Sequence, residues 1–118
     1  EAAGAPHVVL TKVRHGDRDV EVSAPQIATW HDRTPVLVDD IVSTAHTMIE
    51  TVRHLKAPSM RAPVCIGVHA IFAGSAYADL LASGAARIVT CNTIEHASNA
   101  IDVWPDVAGA VRTMLRAT

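Results

Sequence analysis

Three short, mostly apolar runs rich in β-branched residues limit the folds open to this chain. The runs are Pro35–Val38, Val64–Val68 and Arg87–Cys91. Strands without regular polar–apolar alternation are typical of parallel sheets, in which both faces are covered. Predicted helices follow the runs: Ala45–Lys56, whose apolar residues have a helical spacing, and then Ala76–Ala82 and Asp106–Arg116. This alternation predicts right-handed βαβ units, and therefore an α/β fold with a parallel sheet flanked by helices.

The ends of the predicted helices carry recognisable signals. Ser43 or Thr44 is placed to cap the first helix, and Gly84 to end the second. Pro105 stands near the start of the third, where the missing amide of proline is not needed. The polar stretch Asn92–Asn99, before the last helix, is predicted to be a loop.

Upstream of the first buried run, the sequence predicts a small β-hairpin. His7–Thr11 is apolar and β-branched, as in a strand. Lys12–Arg18 is dense in charge and contains a glycine, which favours a mobile loop. Asp19–Ser23 alternates polar and apolar residues, as in a half-exposed strand. The hairpin is therefore expected between Lys12 and Ser23.

The composition of the chain excludes several classes of protein. The 118 residues are 49% hydrophobic with a formal net charge of −2. We therefore expect a single domain with its own core and no strongly basic surface for nucleic acid. No apolar run approaches the ~20 residues that a membrane-spanning helix needs. Cys65 and Cys91 lie inside apolar runs, so we expect both to be small buried strand residues. Because they form no disulfide pattern, we expect the protein in a reducing cytoplasm.

The first four residues, Glu-Ala-Ala-Gly, are typical of the last turn of a helix that ends at a C-cap glycine. They lack the charged and apolar regions of a signal peptide. We therefore expect this chain to be the later part of a longer protein.

The side chains suited to chemistry are concentrated between Val36 and Met48. Two adjacent carboxylates, Asp39 and Asp40, stand at the end of the first buried strand, the edge at which parallel sheets bind ligands. The helix that follows begins among hydroxyl groups, and its first amides favour an anion. Because carboxylates accept hydrogen bonds from sugar hydroxyls, the acid pair and the helix start together match a phosphorylated sugar. The hydroxyl groups belong to Ser43, Thr44 and Thr47.

This segment resembles the ribose-phosphate loop of type I phosphoribosyltransferases and ribose-phosphate diphosphokinases. The family pattern is Asp-Asp or Glu-Asp, two apolar residues, a small or acidic residue, and then Thr-Gly-Gly-Thr or Thr-Ala-Gly-Thr. His46 stands where the family usually has glycine. Its side chain is expected to crowd the phosphate, to distort the turn or, when protonated, to add a cationic contact. The residues that match are Asp39, Asp40, Ser43, Thr44, Ala45 and Thr47.

Two further stretches are similar to the ribose-phosphate diphosphokinases in particular. Thr11–Val20 resembles their flexible catalytic loop, which carries Lys-x-Arg, here Lys12 and Arg14. Cys91–Ile101 resembles the Thr-Asn-Thr-Ile-Pro-His segment near the end of those enzymes, and Val68–Gly74 fits the intervening loop. The resemblance covers nearly the whole chain, with the motifs in the same order.

The resemblance implies a phosphoribosyltransferase-like fold and a role in nucleotide biosynthesis. The implied reaction transfers the diphosphate of ATP to the C1 hydroxyl of ribose 5-phosphate, with Mg²⁺, giving phosphoribosyl diphosphate and AMP. It assigns catalysis to Lys12 and Arg14. It assigns ribose 5-phosphate binding to Asp39, Asp40 and residues 43–47. The implied enzyme is a cytoplasmic homo-oligomer whose small-molecule partners are ribose 5-phosphate and ATP, with no nucleic acid and no membrane.

The resemblance also bears on domain organisation. Residues 1–118 match a single, incomplete C-terminal domain, and the N-terminal ATP-binding half of the family is absent from them. The family's metal-binding histidine lies in that half, so no metal ligand is expected in this chain. We therefore expect the chain alone to lack diphosphokinase activity.

Other interpretations of the same residues remain open. Without the resemblance, Lys12 and Arg14 belong to an ordinary charged loop, and the acid pair is a solvated strand end. A base phosphoribosyltransferase would use the same sugar site for a different reaction. A non-catalytic regulatory homologue is the third possibility, and His46 in place of glycine supports it. His96 either lies near a nucleotide or a neighbouring subunit, or simply packs its loop.

Overall fold

A computed structural model of the chain describes residues 3–15, 19–23, 27–56 and 60–117. Within these ranges the elements alternate as the apolar runs predict. The strands are β1 Thr11–His15, β2 Asp19–Ser23, β3 Val36–Val42, β4 Val64–Ala70, β5 Arg87–Cys91 and β6 Asn99–Ile101. The helices are α1 His46–Lys56, α2 Ala76–Ser83 and α3 Trp104–Arg116, with a short 3-10 helix at Ile27–Trp30.

The main sheet has the strand order β3-β4-β5-β6, and every neighbouring pair is parallel. Strands β1 and β2 form a separate antiparallel hairpin, in which Thr11 pairs with Ser23 and His15 with Asp19. The α/β fold with a parallel sheet and a small hairpin is therefore confirmed. β2 lies close to α1, the helix that follows the acid pair.

Helices α1 and α2 supply the apolar side chains that build the core with the sheet. Val52 of α1, Leu80 of α2 and Cys65 of β4 are completely buried. Burial raises the pKa of the Cys65 thiol to about 11, so this cysteine stays protonated and unreactive at neutral pH. Both cysteines are buried and free, as the sequence predicts.

Two apolar surfaces remain uncovered in the described residues. Val36 and Val38 of β3 are 53% and 72% exposed. Helix α3 buries none of its residues, and Trp104 at its start is 60% exposed. Among the described helices, none is both long enough and apolar enough to cross a bilayer.

The predicted strand at His7–Thr11 is wrong. Residues 7–10 are irregular, and β1 begins only at Thr11, where pairing with β2 begins. A β-branched run forms a strand only when another strand supplies the hydrogen-bonding ladder. The mobile loop predicted at Lys12–Arg18 is instead strand as far as His15, and residues 16–18 lie outside the described part of the chain.

Strand β3 does not stop at Val38, as its apolar run predicts. It continues through the acid pair to Val42, because backbone pairing with β4 persists to the end, where Val42 lies opposite Ala70. A further short strand, β6, begins at Asn99, the last residue of the predicted polar loop. Backbone ladders tolerate polar side chains at a sheet edge, so polarity alone misplaces both boundaries.

The predicted helix ends hold in part. Gly84 ends α2 in the left-handed conformation, with φ of +110° and its amide donating to the Leu81 carbonyl. Helix α3 begins at Trp104, two residues before the predicted start, with Pro105 in its first turn.

Candidate functional site

The two carboxylates predicted at the end of β3 lie within the strand, near the carboxyl edge of the sheet. Asp39 is half-buried and Asp40 is exposed. The Asp40 amide donates to Asp39 Oδ1 at 2.9 Å, and the Ile41 amide donates to Asp40 Oδ1 at 2.8 Å. These bonds hold each carboxylate close to its own strand, and a carboxylate oxygen has further lone pairs for a ligand.

The turn between β3 and α1 is defined by Ala45. This residue is buried and has φ of +58°, in the left-handed region where a Cβ is unfavourable. The first hydrogen bond of α1 runs from the Ile49 amide to the Ala45 carbonyl at 2.9 Å. The amides of residues 46–48 therefore precede the helical ladder, and their partial positive charge favours an anion. We call residues 43–47 the phosphate loop, after the role that the family resemblance implies for them.

The predicted side-chain cap of α1 is wrong. Among the described residues, neither the Ser43 nor the Thr44 hydroxyl is hydrogen-bonded to an amide of α1. The left-handed turn at Ala45 brings its carbonyl into the position of the first acceptor, so the backbone itself starts the helix. Ser43 is half-buried and Thr44 is exposed.

His46 is the first residue of α1 and has a right-handed helical backbone. The residue that carries the left-handed strain is Ala45, one position earlier. A side chain at position 46 therefore does not by itself distort the turn. His46 is exposed and borders a groove between α1 and α2 that is also lined by Glu50, Arg53 and Asp79.

Thr47 lies in the first turn of α1 and is half-buried. Its carbonyl accepts a hydrogen bond from the Thr51 hydroxyl at 2.8 Å. Only Ile41 and Val42, the last two residues of β3, separate the acid pair from the phosphate loop. Lys12 and Arg14 lie on β1, opposite Val22 and Val20, and their side chains are outside the described part of the structure.

His69, at the end of β4, is a neighbour of this site that the sequence analysis did not select. It pairs with Ile41 on β3, one residue beyond Asp40. The Thr93 hydroxyl donates to the Val68 carbonyl at 3.1 Å, so its oxygen accepts from His69 Nδ1, which is 2.8 Å away. Neutral His69 therefore carries its proton on Nδ1. A histidine just after the predicted strand Val64–Val68 is the signal that could have drawn attention to it.

The loop after β4 lies against the phosphate loop. The Phe72 amide donates to the Val42 carbonyl at 2.9 Å, and the Ala73 amide donates to the Ser43 carbonyl at 3.0 Å. Phe72 also has a positive φ, +41°. The turn into α1 is therefore braced by a second strained segment. The apolar sequence around Phe72 gives no signal for its positive φ.

Comparison with known proteins shows which family this chain is similar to. Residues 2–106 match the family model of the phosphoribosyl transferase domain. A ribose-phosphate pyrophosphokinase of Methanopyrus kandleri is 32% identical over 111 residues, which cover 94% of this chain and 38% of that protein. One of Halobacterium salinarum is 38% identical over 100 residues, covering 85% of this chain and 34% of that protein.

A third relative, a ribose-phosphate pyrophosphokinase of Sulfurisphaera tokodaii, is 38% identical over 76 residues. The chain spans 26%, 38% and 34% of the lengths of the relatives from S. tokodaii, M. kandleri and H. salinarum. The parallel sheet, the acid pair before a left-handed turn and the family match over residues 2–106 lead to one conclusion: this chain belongs to the phosphoribosyl transferase domain family.

Proposed function

We propose that this chain is the ribose 5-phosphate-binding part of a ribose-phosphate diphosphokinase. The observation that carries the proposal is the closeness along the chain of the acid pair and the phosphate loop, which are separated only by Ile41 and Val42 at the carboxyl end of β3. Carboxylates and helix-start amides have opposite electrostatic preferences, so no simple anion suits both groups. A sugar with hydroxyls at one end and a phosphate at the other suits both.

The residues divide between the two ends of that ligand. Asp39 and Asp40 accept hydrogen bonds from the ribose hydroxyls, which are donors that an ionised carboxylate binds well. The amides at the start of α1 and the hydroxyls of the phosphate loop bind the 5-phosphate. Those hydroxyls belong to Ser43, Thr44 and Thr47.

The proposed reaction is the attack of the C1 hydroxyl of the bound sugar on the β-phosphorus of ATP. The C1 hydroxyl loses its proton to solvent as its oxygen bonds to that phosphorus, the bond from this phosphorus to the oxygen that bridges to the α-phosphate breaks, and AMP leaves with the bridging oxygen. Phosphoryl transfer is catalysed mainly by positioning and charge neutralisation. Lys12 and Arg14 would supply that positive charge from the hairpin beside α1.

Magnesium belongs to the proposal as the metal that accompanies ATP and neutralises its phosphates. Mg²⁺ prefers carboxylate and phosphate oxygens and keeps several waters. The described residues gather no group of three His, Cys, Asp or Glu side chains. The ion would be held mainly by the oxygens of the nucleotide phosphates, which it prefers.

The direct test of this proposal is calorimetric titration of the 118-residue chain with ribose 5-phosphate. We expect saturable binding with one site per chain, and binding of ribose without phosphate at least ~100-fold weaker, because phosphate contacts to amides are charge-assisted. Asp106→Asn is the control and should bind within about twofold, since this exposed acid lies in the first turn of α3, outside the proposed site. Equal affinity for ribose and ribose 5-phosphate would contradict the assignment of the phosphate loop.

A second expected result concerns turnover. We propose that ATP is bound mainly by an N-terminal half that residues 1–118 do not include, because the chain spans 38% of the M. kandleri relative. A coupled assay of AMP formation with this chain, ribose 5-phosphate and Mg-ATP should therefore show no rate above the blank. Sustained AMP release that depends on ribose 5-phosphate would refute this division of the protein.

Assembly and compartment are parts of the same proposal. The exposed valines of β3 and the uncovered face of α3 suit a homo-oligomer, in which such surfaces are buried. Two buried free thiols suit a reducing cytoplasm. The names of the relatives favour a diphosphokinase over a base phosphoribosyltransferase, and a full-length protein that consumed orotate or a purine base would reverse that preference.

A further inference from the structure

Three rings meet beside the phosphate loop. The Phe72 ring is edge-on to Tyr77, with centroids 5.2 Å apart, and tilted against His96, with centroids 4.7 Å apart. His96 and Tyr77 complete the triangle at 4.9 Å. The rings come from the loop after β4, from α2 and from the loop after β5. We call these three residues the aromatic cluster.

Phe72 has an unfavourable backbone. Its φ of +41° lies in a region that residues with a Cβ rarely occupy. Such a conformation persists only where the surroundings hold it. Phe72 is 8% exposed, and it packs in the core as well as against Tyr77 and His96. The cluster therefore supplies contacts that keep Phe72 in this conformation.

The strained residue is connected directly to the phosphate loop. The amides of Phe72 and Ala73 donate to the carbonyls of Val42 and Ser43 at 2.9 and 3.0 Å. Val42 is 2% exposed, so its position is fixed on the core side as well. Any change in the backbone of Phe72 moves the two donors that hold the start of the loop.

The orientation of His96 is fixed by its own loop. Its Nδ1 accepts from the Ser98 amide at 3.1 Å and lies 2.7 Å from the Ser98 hydroxyl. The His96 amide donates to Asn99 Oδ1 at 2.9 Å. The Ser98 hydroxyl is in turn 2.8 Å from that of Thr90 on β5. Since a backbone amide only donates, neutral His96 carries its proton on Nε2.

We propose that His96 is a positioning residue for the phosphate loop. Its ring holds Phe72 at positive φ, and Phe72 with Ala73 holds the carbonyls of Val42 and Ser43. The inference rests on the proposed function and extends it to a residue more than twenty positions away along the chain from Phe72. Without this ring the ligand must itself order the loop, so its affinity falls.

Two substitutions of His96 distinguish the effect of its ring from the effect of its hydrogen bonds. His96→Phe keeps a ring against Phe72 but cannot accept from the Ser98 amide. His96→Asn keeps an acceptor for that amide, as in an Asx turn, but removes the ring. We expect the phenylalanine variant to bind ribose 5-phosphate within about twofold of the parent chain, and the asparagine variant about 5- to 10-fold more weakly.

Leu55→Ala is the control for a general loss of stability. Leu55 is 3% exposed in the last turn of α1, at the far end of that helix from the phosphate loop. The control should unfold more readily yet bind with unchanged affinity. Should His96→Asn fail to fold, Phe72→Leu removes the same ring contact while keeping an apolar side chain in the core, and the same loss of affinity is expected.

Amide chemical shifts supply a readout that needs no ligand. The ¹H–¹⁵N signals of Ser43 and Thr44 should move in His96→Asn and stay in place in His96→Phe. Equal affinities of His96→Asn and the parent, an equal loss in both His96 variants, or an equal loss in Leu55→Ala would each overturn the inference. Failure of the unsubstituted chain to bind the sugar phosphate would reject the proposed function instead, and unmoved loop signals in His96→Asn would then overturn the inference as well.

Discussion

Replacement of both Asp39 and Asp40 by asparagine should weaken ribose 5-phosphate binding by about 100-fold or more. A hydrogen bond to a charged group contributes roughly 1.5–3 kcal/mol, and tenfold in affinity is about 1.4 kcal/mol. Asparagine can still accept one hydrogen bond from the strand amides that now donate to the carboxylates. The effect should therefore fall on ligand affinity, measured by calorimetry, and only slightly on the free energy of unfolding.

Repulsion between the carboxylates and the phosphate opposes the effect of the lost sugar contacts. Two carboxylates repel a nearby phosphate, but by only ~1 kcal/mol or less per pair in a solvated site. Lost sugar contacts should outweigh relieved repulsion for ribose 5-phosphate, whereas inorganic phosphate should bind as well as before or slightly better. Asp106→Asn, an exposed acid in the first turn of α3, is the control and should change neither affinity. Parallel losses for both ligands would mean that the acid pair does not contact the sugar.

The location of this acid pair could be predicted from the sequence because it depends on local signals. A β-branched apolar run, two acids and a helical period suffice to place Asp39 and Asp40 on a strand shortly before a helix, although the strand continues for two residues beyond them. The same reasoning placed β5 at Arg87–Cys91 and the end of α2 at Gly84, as the structure has them. Each of these features is written within a few consecutive residues.

What the sequence could not predict depends on contacts between distant segments. The positive φ of Phe72 is held by rings from α2 and from the loop after β5, and no pattern around position 72 encodes that. Pairing with β4 extends β3 beyond Val38, and pairing with β5 creates β6. The predicted side-chain cap of α1 is wrong because the left-handed Ala45 starts the helix with a backbone turn.

Gly67→Ala should destabilise the chain by roughly 1–3 kcal/mol, the range for inserting a methyl group into a packed core. Gly67 lies on β4 between β3 and β5. A Cβ there would be 2.6 Å from Val42 Cγ2 and 3.4 Å from Thr90 Cγ2, and both of those residues are buried. The entropy that alanine removes from the unfolded chain offsets only about 0.4–1 kcal/mol. Urea denaturation followed by far-ultraviolet circular dichroism measures the difference.

Gly109→Ala is the matched control for this substitution. Nothing lies within 4 Å of a Cβ added at Gly109, which is inside α3, so alanine should stabilise that helix by about 0.5–1 kcal/mol. The same chemical change should therefore have opposite signs at the two glycines.

Val42→Ala should recover part of the loss in Gly67→Ala, with a coupling of about 1 kcal/mol in a double-mutant cycle. Val42 leads into the phosphate loop, so the shift that Gly67→Ala forces on Val42 should also weaken ribose 5-phosphate binding. A Gly67→Ala variant that is more stable than the parent chain would show that β3 and β4 are not packed as described.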